Sequence, residues 1–228
     1  MEKSDWDKLI DNLTKQGKLR TPNVIKAMQR LPRARFLPRD SQEYSVKDTP
    51  LPIGYGQIIS APNIVAIMNE ALQLRTGQKV LEVGAGSGWH AASIAAIVSP
   101  KEAPRSEWGH VYTLEINPNL ADMARKNIMN TGYGDRVTIV IGDGSKGYLE
   151  KAPFDRILIA AAVPRIPKPL VDQLKADGIM LIPVGNDSLF QILIKVTKDI
   201  DGKLREENLG GVSFVPLKGA SIASSLNH

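Results

Sequence analysis

The chain of 228 residues lacks cysteine and has only three histidines. Without cysteine it can form no disulfide, no thiolate nucleophile and no zinc site built on sulfur. The histidines, His90, His110 and His228, are far apart in sequence and follow no metal-ligand spacing. We therefore expect no metal at the functional site.

Long apolar runs are also missing. No segment approaches the roughly 20 apolar residues that cross a bilayer. The N-terminus, Met1-Glu2-Lys3-Ser4-Asp5, lacks the basic and then apolar order of a signal peptide. The composition, 43% hydrophobic and 23% charged, is that of a globular protein. We expect a cytoplasmic protein without a membrane partner, and the sequence leaves its oligomeric state open.

Basic residues are concentrated near the N-terminus, where residues 12–39 contain eight Lys or Arg and no Asp or Glu. The stretch contains a single aromatic residue, Phe36, and so lacks the aromatic side chains, interleaved with the basic ones, that would stack on bases. A solvated basic helix face is therefore favoured over a nucleic-acid-binding surface. We expect no nucleic-acid partner. A third possible role of this basic stretch is to attract acidic peptide substrates. The eight residues are Lys15, Lys18, Arg20, Lys26, Arg30, Arg33, Arg35 and Arg39.

Helical spacing of apolar residues opens the chain. It predicts one helix from Trp6 to Leu13 and a second, shorter helix that begins at Pro22 and ends before Pro32. Residues 48–62 are rich in proline and glycine, which predicts a structured loop without a helix. Helical spacing returns at residues 64–72.

Beyond Lys79, strand-like apolar runs alternate with helical stretches, which predicts a doubly wound α/β fold. We expect a mainly parallel, seven-stranded, Rossmann-like sheet of the methyltransferase type with an N-terminal helical extension. It would form a single domain over 1–228, divided into helices and active-site loop (1–76), cofactor-binding core (77–185) and antiparallel strands with a tail (186–228). The predicted strands are 79–84, 111–116, 136–142, 155–161, 177–184, 189–197 and 203–216.

A glycine-rich turn follows the first of these strands. A Cβ at Gly84, Gly86 or Gly88 would fill space that a nucleotide ligand needs, although a dinucleotide-binding turn looks similar. Glu82 favours S-adenosylmethionine (AdoMet), because a carboxylate at this position suits the amino-acid end of AdoMet and would repel a pyrophosphate. The third glycine also comes one residue early for the dinucleotide fingerprint.

Two further acids end the next two strands. Glu115 is placed to accept hydrogen bonds from ribose hydroxyls, and Asp143, followed by Gly144, is suited to accept from the adenine amino group. Each acid alone could be an ordinary surface or turn residue. Because carboxyl ends of neighbouring parallel strands meet at one edge, the set favours an AdoMet-dependent methyltransferase over a dehydrogenase.

The segment after the fourth strand bears on the acceptor. Enzymes that methylate amino groups of bases commonly have a polar residue, two prolines and an aromatic residue there, whereas this chain has Ala160-Ala161-Ala162-Val163-Pro164. A nucleic-acid methyltransferase therefore remains the second choice, and a binding module without activity the third.

The loop from Pro50 to Pro62 closely resembles the signature loop of protein-L-isoaspartate (D-aspartate) O-methyltransferases. Its sequence is Pro50-Leu51-Pro52-Ile53-Gly54-Tyr55-Gly56-Gln57-Ile58-Ile59-Ser60-Ala61-Pro62. The resemblance covers nearly the whole chain. The other matching elements are Arg35-Phe36-Leu37-Pro38, Gly142-Asp143-Gly144, Ala160-Ala161-Ala162-Val163-Pro164, Leu181-Ile182-Pro183-Val184-Gly185 and Phe214-Val215-Pro216-Leu217.

This resemblance implies AdoMet-dependent methylation of the α-carboxyl group of L-isoaspartyl residues in damaged proteins and peptides, which starts their repair. It implies that Ser60 is the active-site residue, whereas the sequence around Ser60 alone favours an ordinary helix N-cap. The family usually has a small polar residue in place of Ile58, so the loop here lacks one hydroxyl. The resemblance also implies a peptide-binding surface formed by Gln57, Ile58, Ile59, Val215, Pro216 and Leu217.

Overall fold

A computed structural model describes residues 3–186 and 190–219 of the chain. The two predicted N-terminal helices are confirmed as α1 (Asp5–Lys15) and α2 (Pro22–Arg30). The side chain of Ser4 caps α1 by accepting a hydrogen bond from the Asp7 N–H, and the apolar stripe of the helix buries Trp6 and two further residues. Among the described residues, no helix is both long and apolar enough to cross a membrane. The six α-helices of the described chain are α1 Asp5–Lys15, α2 Pro22–Arg30, α3 Pro62–Ala71, α4 Trp89–Val98, α5 Pro118–Thr131 and α6 Lys168–Asp172.

The predicted seven-stranded sheet is confirmed. Its strands are β3 Lys79–Val83, β4 His110–Glu115, β5 Val137–Ile141, β6 Phe154–Ile159, β7 Leu174–Val184, β8 Gln191–Lys198 and β9 Leu204–Val212. They lie in the order β5-β4-β3-β6-β7-β8-β9, and β3 to β7 run parallel to one another. The last two strands are antiparallel, with β8 beside β7 and β9 at the edge.

Both faces of the sheet are covered by apolar packing. Because side chains alternate along a strand, Val80 packs into the core beneath the N-terminal helices, whereas Leu81 and Val83 pack into a second cluster. Helix α4 lies between the sheet and α2, and all ten of its residues are buried. The Trp89 indole N–H donates to the Leu31 carbonyl at 2.9 Å and so joins α4 to the N-terminal extension.

The structured loop at 48–62 contains a hairpin that the sequence did not predict. Strands β1 Leu51–Gly54 and β2 Gln57–Ile59 pair antiparallel, and Tyr55 lies exposed at the tip. Strands of four and three residues are too short to show a recognisable alternation. The glycines on either side of Tyr55 allow the turn, since all three residues have positive φ.

The final strand is shorter than predicted, because β9 ends at Val212 rather than at residue 216. Residues 213–219, here called the C-terminal segment, leave the sheet edge and run past Ala162. The Ala162 N–H donates to the Val215 carbonyl, and the Ala162 carbonyl accepts from the Leu217 N–H, both at 2.8 Å. Buried Gln191 holds the start of the segment, accepting from the Phe214 N–H at 2.6 Å and donating to its carbonyl at 3.2 Å. The predicted extension of this strand to residue 216 is therefore wrong.

The basic stretch at 12–39 is only partly a solvated surface. Lys26 and Arg30 both pair with Glu102, and Arg33 is fully buried. Part of the positive charge that the sequence concentrates here is thus used inside the fold.

Candidate functional site

An open cleft of about 1100 Å³, counting the part that is open to solvent, lies at the carboxyl ends of the parallel strands. It sits at the point where the strand order reverses, since β4 and β5 follow β3 on one side while β6 and β7 lie on the other. Open α/β sheets bind ligands at this position. The cleft is lined by residues that follow β3, β4, β5 and β6, by the β1–β2 hairpin and by the C-terminal segment.

The glycine-rich turn forms the floor of the cleft. Gly84 and Gly86 line it, with φ angles of 96° and 52° that favour glycine. Gly88 has a different role from the predicted one, because it faces α5. A Cβ there would lie 2.9 Å from Ile128 Cδ1 and 3.1 Å from Ala124 Cα, so the third glycine permits helix packing.

Glu115 holds this turn in place. One of its carboxylate oxygens accepts the Gly86 N–H at 2.9 Å, and the other accepts the Asn117 N–H at 3.0 Å. The side chain is buried yet borders the cleft. Each carboxylate oxygen keeps a further lone pair, which is available to a ligand hydroxyl.

Glu82 is the most perturbed acid of the cleft. It is fully buried, and its Oε2 accepts from the Thr113 hydroxyl at 2.5 Å, while Oε1 has no hydrogen-bond partner. The pKa of Glu82 is raised to about 8, mainly by burial; the Thr113 hydrogen bond opposes this shift and the charge of Glu115 adds to it. A buried acceptor without a partner suits the ammonium group of AdoMet.

Asp143 is placed differently from the other two acids. Its neighbours Gly142 and Gly144 line the cleft, whereas its own Oδ1 accepts from the Ser145 N–H at 3.0 Å and the Ser145 hydroxyl at 2.6 Å. The C-terminal segment covers it, since a Cβ on Gly219 would lie 2.1 Å from Oδ1. Binding of adenine by Asp143 stays a prediction.

Ser60 lies in the wall of the cleft and does not cap α3. The N-cap residue of that helix is Ala61, and the Asn63 N–H in its first turn donates instead to Asp48 Oδ1 at 2.8 Å. The N-cap interpretation of Ser60 is therefore wrong. The structure brings Ser60 together with the other predicted substrate residues, because Gln57, Ile58, Ile59, Val215, Pro216 and Leu217 all line the same cleft.

Several lining residues were missed by sequence reasoning, among them Tyr55, His90, Asn117 and Lys218. His90 is buried beside Asn69, with Nε2 3.2 Å from the Asn69 Oδ1, and burial lowers the pKa of its imidazole to about 3. It follows the glycine turn by two residues, so its position in the sequence could have indicated it. Lys218 is the only Lys or Arg among the described residues that line the cleft.

Together, the doubly wound sheet, the glycine turn and the two buried acids define a Rossmann-like AdoMet-dependent methyltransferase. Residues 4–221 match the family model for protein-L-isoaspartate(D-aspartate) O-methyltransferase. The chain belongs to this family.

Relatives and solved structures agree with this assignment. The chain is 52% identical to a protein-L-isoaspartate O-methyltransferase of Hyperthermus butylicus, covering 93% of this chain and 88% of the relative. It is 48% identical to one of Methanopyrus kandleri, covering 93% and 91%. A crystal structure from Plasmodium falciparum is described as a protein-L-isoaspartate O-methyltransferase in complex with S-adenosyl-L-homocysteine. It aligns with this chain with a TM-score of 0.83 and 26% identity, and the alignment covers 96% of this chain and 100% of that chain.

The raised pKa of Glu82 generates a prediction for cofactor binding. An ammonium group beside Oε1 favours the carboxylate, so the pKa of Glu82 falls in the complex and a proton leaves. At pH 7 we expect S-adenosylhomocysteine binding to release more than about half a proton, and affinity to rise with pH until about pH 8. Calorimetry in buffers of different ionisation enthalpy measures this release.

Glu82→Gln is the matched control, because it keeps the shape of the side chain and cannot lose a proton. If this variant releases as many protons on binding S-adenosylhomocysteine as the original protein does, or if the original protein releases none, the assigned role of Glu82 would be contradicted.

Proposed function

We propose that this protein transfers the methyl group of AdoMet to the free α-carboxyl group of L-isoaspartyl residues in proteins and peptides, the first step of their repair. The observation that carries the proposal is that Ser60 lines the same cleft as Glu82 and Glu115. Membership of the protein-L-isoaspartate(D-aspartate) O-methyltransferase family supports it. The partners are isoaspartyl-containing proteins and peptides.

AdoMet would be held at the glycine-turn end of the cleft. Glu82 Oε1 would accept from its ammonium group, Glu115 from its ribose hydroxyls, and Gly84 and Gly86 leave room for the ligand beside the backbone. When bound, AdoMet supplies a methyl group that its sulfonium activates for displacement. The described residues contain no group of three or more His, Asp or Glu side chains that could hold a metal ion.

The acceptor chemistry requires positioning rather than a base. A carboxyl group with an ordinary pKa of about 4 is already ionised at neutral pH, so it can attack without losing a proton to the enzyme. Ser60 Oγ would donate a hydrogen bond to one carboxylate oxygen and leave the other directed at the methyl carbon. His90 is uncharged at neutral pH, because its imidazole pKa is about 3.

The substrate peptide would lie between two walls of the cleft. One wall is the hairpin strand that carries Gln57, Ile58 and Ile59, and the other is the C-terminal segment with Val215, Pro216 and Leu217. Ile58 is 38% exposed and offers the peptide an apolar contact. The cytoplasmic location and the expected lack of nucleic-acid and membrane partners stay predictions.

A matched pair of peptides tests the proposed function. We expect labelled AdoMet to transfer its methyl group to a peptide that contains L-isoaspartate and not to the same peptide with normal aspartate, because only the isoaspartyl residue presents a free α-carboxylate. Methyl ester formed on both peptides to the same extent, or on neither, would refute the proposal.

Ser60→Ala tests the role of the hydroxyl. Because a hydrogen bond to a charged group contributes about 1.5–3 kcal/mol, kcat/KM for the isoaspartyl peptide should fall about 10- to 150-fold. The affinity for S-adenosylhomocysteine should change less than about 2-fold. Ser106→Ala, in the exposed 3-10 helix Arg105–Glu107, is the control and should change neither.

Equal losses of activity and cofactor affinity in Ser60→Ala would show that Ser60 supports the whole cleft rather than the acceptor.

A further inference from the structure

Arg33 is a fully buried cation behind the active-site loop. All five of its N–H groups donate to backbone carbonyls, with one bond from Nε and two from each terminal nitrogen. The acceptors are the carbonyls of Tyr44, Ser45, Lys47, Thr49 and Ser60.

The bonds of Arg33 close the base of the hairpin. One terminal nitrogen bridges the Thr49 carbonyl, at 2.7 Å, and the Ser60 carbonyl, at 3.1 Å. Thr49 precedes β1 by two residues, and Ser60 directly follows β2. The two ends of the hairpin are therefore fixed to one planar guanidinium, which limits how the Ser60 peptide unit can rotate.

The guanidinium of Arg33 also carries a buried charge close to Ser60. The pKa of Arg33 is lowered to about 10, because burial outweighs the opposing effect of the Asp48 charge. All five hydrogen bonds of the guanidinium go to backbone carbonyls rather than to a carboxylate. Arg33 thus keeps its charge at neutral pH without a directly bonded counter-ion. Desolvating such a charge is costly, and the fold places it next to the residue that would bind an anionic acceptor.

We propose that Arg33 is a positioning residue for the acceptor carboxylate. By fixing the Ser60 carbonyl, it sets the direction of Ser60 Oγ and holds a positive charge beside the carboxylate site. Arg33 does not line the cleft, so it acts through Ser60 and not by touching the substrate. This inference rests on the proposed function of Ser60.

Arg156 provides a matched control elsewhere in the fold. It is also buried, and its guanidinium also donates to backbone carbonyls, including that of Leu72 at 2.6 Å. It lies in β6 three residues before the end of the strand and does not line the cleft. Variants of Arg33 and Arg156 therefore share the loss of a buried guanidinium and differ in their connection to Ser60.

The experiment compares Arg33→Lys and Arg33→Met with Arg156→Lys and Arg156→Met in the full chain, at a temperature at which each variant is folded. We expect all four to lower the thermal midpoint. Only the Arg33 variants should lower kcat/KM for the isoaspartyl peptide, about 10-fold for Lys and about 100-fold for Met, because small misplacements of reacting groups have effects of this size. The dissociation constant of S-adenosylhomocysteine should change less than about 2-fold in the folded variants.

A double variant separates positioning from general stability, and it remains informative if Arg33→Met does not fold. If Arg33 acts through Ser60, then Arg33→Lys should lower kcat/KM about 10-fold in the original protein. In the Ser60→Ala background the same substitution should lower kcat/KM less than about 2-fold. Equal costs in both backgrounds, equal losses of activity in the Arg156 variants, or full activity of Arg33→Lys would overturn the inference. Lack of isoaspartyl methylation by the unmodified protein would instead refute the proposed function, and this inference with it.

Discussion

The carboxylate of Glu115 is the interaction on which the cofactor end of the cleft depends. It ends β4 and binds one N–H from the glycine turn after β3 and another from the start of α5. The glycine turn, β4 and α5 are thus tied to a single buried group. The bond from the Gly86 N–H holds the turn against β4, next to the buried Glu82, whose Oε1 has no hydrogen-bond partner.

The acceptor end of the cleft is built on a different principle. Its two walls, the hairpin and the C-terminal segment, lie outside the main sheet. In each wall a buried polar side chain adds to the backbone hydrogen bonds, with Arg33 at the base of the hairpin and Gln191 at the start of the C-terminal segment. Side-chain bonds to the backbone therefore fix the surfaces that would determine which carboxyl group is methylated.

Much of this architecture could be predicted because it depends on local pattern. Apolar periodicity locates the helices and strands, and parallel strands necessarily bring Glu82 and Glu115 to one edge. The errors concern residues whose roles depend on a distant partner. A Cβ at Gly88 would collide with Ile128, β9 ends before Phe214, which bonds to Gln191, and Asp48 rather than Ser60 accepts the Asn63 N–H in the first turn of α3. The carbonyls that surround Arg33 leave no signature in the sequence.

We propose that one cleft holds AdoMet at Glu82 and Glu115 and the acceptor carboxylate at Ser60. A crystal structure of the protein with S-adenosylhomocysteine and an isoaspartyl peptide would test this arrangement. We expect the homocysteine amino group to bond to Glu82 Oε1 and Ser60 Oγ to donate to the α-carboxylate of the isoaspartyl residue. A peptide carboxylate bound away from Ser60, with S-adenosylhomocysteine in place, would contradict this arrangement.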